Sequence, residues 1–542
     1  MPVRKKIGFI EAFSIGVGGM IGGGIFAVLG LTAILTKGAA PIAFLLAGLI
    51  ALTTAYSYAK LSVRFPSEGG TIEFIIQAFG PNLFSSWLNS LLLASYIIML
   101  SLYAYAFGSY GSVLLTGAEN PLIKKLLIAG VLIFFTLINL FGAYLVGKAE
   151  DIMVAFKVFI LLLFSIFGFM TINYSHLALN TYPNILHIVT GGLIIFLAYE
   201  GFELIANTAH DIKEPEKNLP KAFFSSVIFV IFIYVLVSLV AVGNLTPQQI
   251  LIAKDYVLAE AAKPFLGQFG FIMIGIAAII STASAINATL YGTARISYLV
   301  AKYGELPQAF TKQIWKGAYE GLIILSTLTL IAALSFNLEN ISVAGSVGFL
   351  LVFAAVNIAN FRLASKTRAN RFIAGLGALG CLVSAIVLVE YTLKTNPKSL
   401  YSSAWIIVGT LIFELIYQSI AKRSLSPYLD WRLKEREQFL SKLDYYLPKI
   451  INLLKQEIKQ AEIYILEEIA SSNKEATNKL HLGIKTTSSP KKSAQYIQQK
   501  IKTKLNLKDH HPLKISFIPE DKTDQNAIKI KRYKRCACKK CF

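Results

Sequence analysis

Six glycines fall within nine residues near the start of the chain: Gly16, Gly18, Gly19, Gly22, Gly23 and Gly24. Each weakens a helix interior by about 1 kcal/mol relative to alanine. Close packing of membrane helices would set small residues four apart on one face. Gly22, Gly23 and Gly24 are consecutive and point three ways, so the pattern predicts an unwound segment. Unwinding bares N–H groups at the start of one half-helix and carbonyls at the end of the other. The first attract a carboxylate and the second an ammonium. A zwitterionic amino acid carries both groups one carbon apart. A second interruption follows in Ile195-Phe196-Leu197-Ala198-Tyr199-Glu200-Gly201-Phe202-Glu203-Leu204-Ile205-Ala206-Asn207, where two carboxylates and a glycine break an apolar stretch. Acidic groups inside a span are rare and usually functional.

Lys157 offers a different chemistry. It stands in the apolar run from Ile152 to Ile160, six residues from Asp151, or about 9 Å along a helix. In one reading its four-carbon stem snorkels the ammonium to the membrane interface. In the other the side chain faces the bundle interior, where burial disfavours the charged form and lets the amine lose and regain a proton. Ser281, Thr282 and Ser284 supply hydroxyls later in the chain. Glu203 is a second proton candidate, with a purely structural carboxylate as the competing reading.

Such residues need a scaffold, and the composition says which. Of 542 residues, 55% are hydrophobic and 15% charged, and the mean hydropathy is +0.58. Soluble domains carry about 25% charged residues. A soluble enzyme, a disordered chain and a disulfide scaffold are excluded. Twelve apolar runs long enough to cross a bilayer are read at roughly 10–35, 41–63, 86–115, 124–145, 150–172, 187–209, 222–243, 268–299, 320–336, 343–363, 372–393 and 401–420. Arg4, Lys5 and Lys6 precede the first run as in a signal peptide. That run is long and glycine-rich and lacks a small-x-small cleavage site, so it is expected to be a span. With the N-terminus inside, the inner loops and adjoining span ends hold 17 Lys and Arg against 7 on the outer side. Both termini are therefore expected in the cytoplasm.

Residues 1–420 form the expected transmembrane domain, and 421–542 a basic cytoplasmic region. The latter holds 27 Lys and Arg against 13 Asp and Glu, a net +14 of the total +21. Anionic lipid of the inner leaflet is the simplest partner for such a segment, and no nucleic acid is expected. Leu440, Leu443, Leu447, Ile450, Leu454 and Ile458 repeat at helical spacing, and Pro512 to Pro519 reads as one short strand. The rest of the region is open between a small domain and disorder. Cys536, Cys538 and Cys541 have metal-like chemistry without an established zinc spacing, so no metal or cofactor is expected.

Five separated segments, in order, are similar to a known group. They are Gly18-Gly19-Met20-Ile21-Gly22-Gly23-Gly24-Ile25-Phe26, Phe65-Pro66-Ser67-Glu68-Gly69-Gly70-Thr71, the run around Glu200, Asp211 to Pro220, and Ser281 to Ala288 with Arg295. On these the chain resembles the amino acid–polyamine–organocation superfamily, and more closely its prokaryotic proton-coupled amino-acid permeases. The resemblance covers about residues 5–420 and implies an all-α membrane protein of LeuT type. In that fold two inverted five-helix repeats carry discontinuous helices 1 and 6, here followed by two appended spans and the tail. Carried over by position, it sets the substrate carboxylate against the N–H groups of Gly23 and Gly24, beside Gly22. The amine meets carbonyls near Met20, Leu197, Ala198 and Glu200. Many relatives have serine where Gly23 stands, so a hydroxyl contact is missing here. The resemblance also favours the interior reading of Lys157, whose ammonium would lie where sodium-coupled relatives hold an ion between spans 1 and 8. The stretch Phe65 to Thr71 would be an intracellular gating loop.

Specificity is less legible. Phe196, Tyr199 and Phe202 flank the second interruption either as substrate contacts or as packing, with Gly201 at its centre. Glu200 either favours a cationic side chain or caps the following half-helix. Asn287, Asn357 and Asn360 are either ligands or polar contacts between helices. The expectation is a plasma-membrane transporter importing amino acids with protons by alternating access, with no covalent chemistry. Exchange of amino acids or polyamines is the alternative within the class. A sensor signalling through the basic tail is the rival outside it.

Overall fold

The computed structural model describes residues 7–67, 69–141, 146–315 and 318–420, with isolated strands beyond them at 461–466, 480–486, 513–517 and 528–529. The chain divides into two compact units, Met1–Leu429 and Asp430–Phe542.

The first unit is helical. It opens with α1 (Phe9–Met20) and α2 (Gly24–Thr36), separated by a break at Ile21–Gly23. A tight turn leads to α3 (Ala40–Arg64), followed by α4 (Thr71–Phe79), α5 (Leu83–Thr116), α6 (Pro121–Phe141) and α7 (Val146–Phe169). Next come α8 (Ile185–Ile194), a 3-10 turn at Phe196–Tyr199 and the single turn α9 (Leu204–Asn207). The long α10 (Pro215–Asn244) leads to the short α11 (Pro247–Ile252) and α12 (Val257–Glu260), and then to α13 (Lys263–Lys302). A small hairpin of β1 (Gln313–Trp315) and β2 (Ala318–Tyr319) precedes α14 (Glu320–Ser335). The unit closes with α15 (Leu338–Arg362), α16 (Ala364–Thr367), α17 (Arg371–Thr395) and α18 (Lys398–Ile420).

Helix starts are fixed locally. Asn82 accepts from the Ser85 N–H at 3.0 Å, and Ser85 Oγ accepts from the Asn82 N–H at 2.9 Å, a reciprocal cap on α5. Prolines occupy the first turns of α3, α10, α11 and α13, where a missing N–H costs nothing. Among the described residues eight helices are long and apolar enough to cross a membrane. A ninth results if α8 and the 3-10 turn through α9, bent by 48°, count as one span. The outward faces of α6 and α18 expose Leu122, Leu126, Phe134, Trp405 and Ile412, as lipid-facing helices do. α5 and α15 sit in the middle, and Ser101, Ser342 and Asn357 on them are buried. This is a multi-pass membrane protein.

At the end of the bundle where α2 finishes, charge is buried. Lys124 at the start of α6 pairs with Glu119 and with Asp255, 3.0 Å away, and lies 3.6 Å from the centre of the Tyr105 ring. Asp255 belongs to the segment between α10 and α13. The preceding Lys254 carbonyl rests against Gly30 of α2, where a Cβ would collide with it.

In the second unit the described residues form a four-stranded sheet of order β5-β4-β3-β6, from β3 (Ala461–Leu466), β4 (Leu480–Thr486), β5 (Leu513–Phe517) and β6 (Ile528–Lys529). β4 and β5 run parallel, with Leu482 opposite Ile515, and the other pairs are antiparallel. One of these strands, β5, falls on the stretch read as a strand from sequence. The amphipathic pattern from Leu440 to Ile458 and the cysteines Cys536, Cys538 and Cys541 lie outside the described residues.

Candidate functional site

The glycine cluster has two jobs. α1 stays helical through Gly16, Gly18 and Gly19, where small size permits close approach. A Cβ on Gly16 would lie 2.7 Å from Ile205 Cδ1, and one on Gly19 2.7 Å from the Gly201 carbonyl oxygen. Helical geometry lapses only over Ile21–Gly23, where Ile21 N–H still donates to Val17 O at 2.8 Å, and α2 restarts at Gly24. The first N–H groups of α2, at Gly24 and after, have no partner within their own helix. Gly24 in turn abuts Ala198, whose Cα would lie 2.8 Å from an added Cβ.

Five successive carbonyls around this break each meet a side-chain donor. Lys157 Nζ of α7 is 3.5 Å from the Gly18 oxygen, and the Tyr103 hydroxyl of α5 is 3.4 Å from the Gly19 oxygen. The Tyr234 hydroxyl of α10 donates to Met20 O at 2.6 Å. Ser281 Oγ of α13 reaches Ile21 O at 2.8 Å and also the Gly22 carbonyl. Four helices thus hold the last turn of α1 and the break that follows it. Lys157 is 1% exposed, so its stem does not carry the ammonium out to an interface.

The second break is built from its own residues. Ala198 N–H donates to Ile195 O at 2.8 Å and Glu200 N–H to Leu197 O at 3.2 Å, both short-range turns. Glu200 is extended, with φ −65° and ψ 149°, and Gly201 takes φ +118°, a conformation open mainly to glycine. Gly201 N–H donates to Glu203 Oε2 at 2.7 Å, while the Tyr96 hydroxyl donates to Glu203 Oε1 at 3.1 Å. The Glu200 side chain is buried as well. Two outside hydroxyls complete the set. Ser346 of α15 donates to Ile194 O at 2.8 Å and accepts from Leu197 N–H at 3.2 Å. Tyr234 lies 3.0 Å from Ala198 O, which joins the two breaks through one hydroxyl.

The other residues singled out from sequence divide by role. Thr282 bonds its own helix at Ala278 O, 2.7 Å away, and turns its methyl toward Gly23. Ser284 is buried on α13. Phe196 and Phe202 pack on Phe353, with ring centres 5.9 and 5.4 Å apart. Tyr199 lies against Tyr234 and donates to Phe44 O at 2.8 Å. The asparagines join helices: Asn139 to Asn287 at 2.8 Å, Asn357 to Thr54 at 3.0 Å and Asn360 to Ser57 at 3.2 Å. Sequence reading missed Tyr234, Ser346, Tyr96 and Tyr103. Each is a hydroxyl in a largely apolar stretch, and its importance depends on a partner far away in the chain. Every residue at the two breaks, from Met20 to Gly24 and from Phe196 to Gly201, is buried, so the conformation is closed to water.

The amino acid permease family profile matches residues 7–413, three-quarters of the chain and both breaks. The chain belongs to that family. It falls within the amino acid–polyamine–organocation superfamily and is a transporter, not an enzyme. Similar proteins include an uncharacterized protein of Methanocaldococcus jannaschii, 37% identical over 424 residues, which cover 78% of this chain and 98% of that one. The inner membrane transport protein YbaT of Escherichia coli is 32% identical over 422 residues, 78% of this chain and 97% of its own. The methylthioribose transporter of Bacillus subtilis is 27% identical over 438 residues, 76% and 93% respectively. This permease therefore moves amino acids across a membrane.

Proposed function

We propose that this permease is a proton-coupled symporter of amino acids working by alternating access, with twelve spans in the LeuT-type arrangement of two inverted five-helix repeats. Dividing α2 from α3, joining α1 to α2 across the first break, counting the bent pair as one and adding the shorter apolar helices α7 and α14 brings the number of candidate spans to twelve. Equivalent breaks in the first and sixth then mark the midplane site of such repeats. The substrate carboxylate binds the N–H groups at Gly22, Gly23 and Gly24. Its ammonium binds the carbonyls of Met20, Leu197, Ala198 and Glu200, with Phe196, Tyr199 and Gly201 shaping the pocket. The Tyr234 hydroxyl already touches two of those carbonyls, so the ammonium shares their remaining lone pairs or displaces it.

Lys157 carries the coupling proton in this reading, with Ser281, Thr282 and Ser284 on the facing helix and Glu203 as a second proton carrier. The observation that supports it most is the buried ammonium at Gly18 O, two residues before the Met20 carbonyl that receives the substrate. Lysine excess in the short loops supports cytoplasmic termini, a plasma-membrane setting for residues 1–420 and a basic tail at 421–542 beside anionic inner-leaflet lipid.

The test is uptake of a panel of labelled amino acids into proteoliposomes under imposed proton or sodium gradients. Proton-driven accumulation is expected. Accumulation driven by sodium alone would remove the coupling role from Lys157.

A further inference from the structure

Away from the breaks, an open groove of about 510 Å³ runs between the start of α5 and the middle of α18. Asn82, Leu83, Phe84, Trp87 and Leu411 line it. Its size is that of a site for a small molecule. The two polar groups in the lining are already committed. The Asn82 side chain accepts from Ser85 N–H at 3.0 Å and donates to Phe79 O at 2.7 Å, and the Trp87 indole N–H donates to Ile407 O at 3.3 Å. An occupant therefore meets mainly apolar surface. Phe84 is exposed and Leu411 half-buried, next to the exposed Ile412 of α18, so the groove opens on a face turned to hydrocarbon.

A line of aromatic rings leads from the groove to a cation. Phe84 lies 6.0 Å from Trp87 and 5.1 Å from Phe79 of α4, measured between ring centres. The Arg362 guanidinium, at the end of α15, sits 5.0 Å from the centre of the Phe79 ring. Arg362 is exposed, and among the described residues no carboxylate pairs with it. Stacking on a ring fixes a guanidinium while leaving the N–H donors at its edge for an anion, and phosphate takes two of them at once.

The surrounding charge selects the kind of anion carrier. Lys366, Arg368 and Arg371 follow Arg362, and the stretch from Arg362 to Arg371 has no acidic residue. Arg371 stands 5.9 Å from the centre of the Phe361 ring, beside Arg362 in the chain. The carboxylates of α5's neighbours, Glu305 and Glu414, are buried and turned onto Ser86, Asn89 and Ser90. A lipid headgroup with its own cation gains little here, whereas one with net negative charge is attracted.

We infer that this groove binds one anionic phospholipid, with an acyl chain on Phe84, Trp87 and Leu411 and the phosphate on Arg362. The site belongs to α4, α5, α15 and α18 and is separate from the basic tail. Its lipid braces α18 against α5, the helix whose Tyr96 and Tyr103 hold the two breaks.

Thermal melting of the full chain in detergent tests this without any transport, so its outcome is independent of the substrate and coupling readings. Phosphatidylglycerol should raise the melting temperature by about 3 °C or more over phosphatidylcholine of the same chains. Arg362→Gln should lose about half of that difference or more, although it removes one positive charge from a net +21. Lys217→Gln, at an exposed cation in the first turn of α10, should keep it. Equal losses in the two variants, or none in Arg362→Gln, overturn the site. Leu411→Trp, which fills the groove, should also reduce the difference. Should it fail to fold, Phe84→Ala at an exposed ring must reduce it instead; an unchanged difference overturns the proposal. Phosphatidylcholine matching phosphatidylglycerol would leave an acyl groove without charge recognition, and inorganic phosphate giving the same rise would leave a free-anion site; either result overturns it.

Discussion

The two breaks solve the same problem by opposite means. Around the first, carbonyls from Gly18 to Gly22 are met by side chains of α5, α7, α10 and α13. Around the second, most of the bonding is local: short turns at Ile195 and Leu197, and Glu203 folding back on Gly201. Backbone bonds within a few residues survive when helices move, whereas bonds to four separate helices do not all survive. The first break is therefore more sensitive to the arrangement of the bundle than the second. In an alternating-access cycle the first break would change shape while the second keeps it.

The largest expected effect comes from Gly201→Ala. Its φ of +118° strains any other residue, and the added Cβ would meet backbone of the facing break, including Met20 N at 2.6 Å. Folded protein should be largely lost, as judged by size-exclusion chromatography of solubilised membranes. Normal yield would mean that the second break is not rigid. Gly23→Ala presses its Cβ on the buried Tyr103 ring, whose hydroxyl is held at Gly19 O, but meets no backbone, so its loss of yield should be smaller than that of Gly201→Ala. Next in size, Lys157→Ala should abolish pH-dependent accumulation, about tenfold or more in gradient-driven uptake, and leave the protein folded. An intact pH profile would return Lys157 to a structural role.

Tyr234→Phe removes a hydroxyl common to both breaks and leaves the Met20 and Ala198 carbonyls without it. The loss is about 1–3 kcal/mol, and uptake should fall about tenfold at low substrate concentration. Unchanged uptake would show that the breaks move independently. Smallest is the pair Ser281→Ala and Ser346→Ala, each about 1 kcal/mol. If the contrast holds, Ser281→Ala lowers uptake about fivefold, since it loosens the break that moves. Ser346→Ala should lower the melting temperature with uptake kept within about twofold. Equal effects on uptake would erase the distinction.

Much of this was legible in the chain because membranes narrow the choices. Apolar runs, a triplet of glycines and carboxylates inside a span have few explanations in hydrocarbon, so both interruptions stand out in the sequence. Gly16 and Gly19 were legible only as cluster members; their contacts with Ile205 and Gly201 depend on which helix crosses there. Tyr234 and Ser346 carry no signal at all, because a hydroxyl in an apolar helix looks the same whether its partner is its own backbone or another helix. The sheet of the second unit was mostly missed, since β3 and β4 lie in polar, lysine-rich surroundings that read as tail.

Gly30 has a mechanical consequence. The Lys254 carbonyl presses on it from one side, and one residue later Asp255 is gripped by Lys124. The flap between α10 and α13 is thus yoked to the half-helix beyond the first break at one point and to the fixed wall at the next. In the alternating-access cycle proposed above, a swing of α2 would carry the flap with it, and the Lys124 pairing would have to part first. A spin label on that flap would time the opening of the passage before any substrate is released.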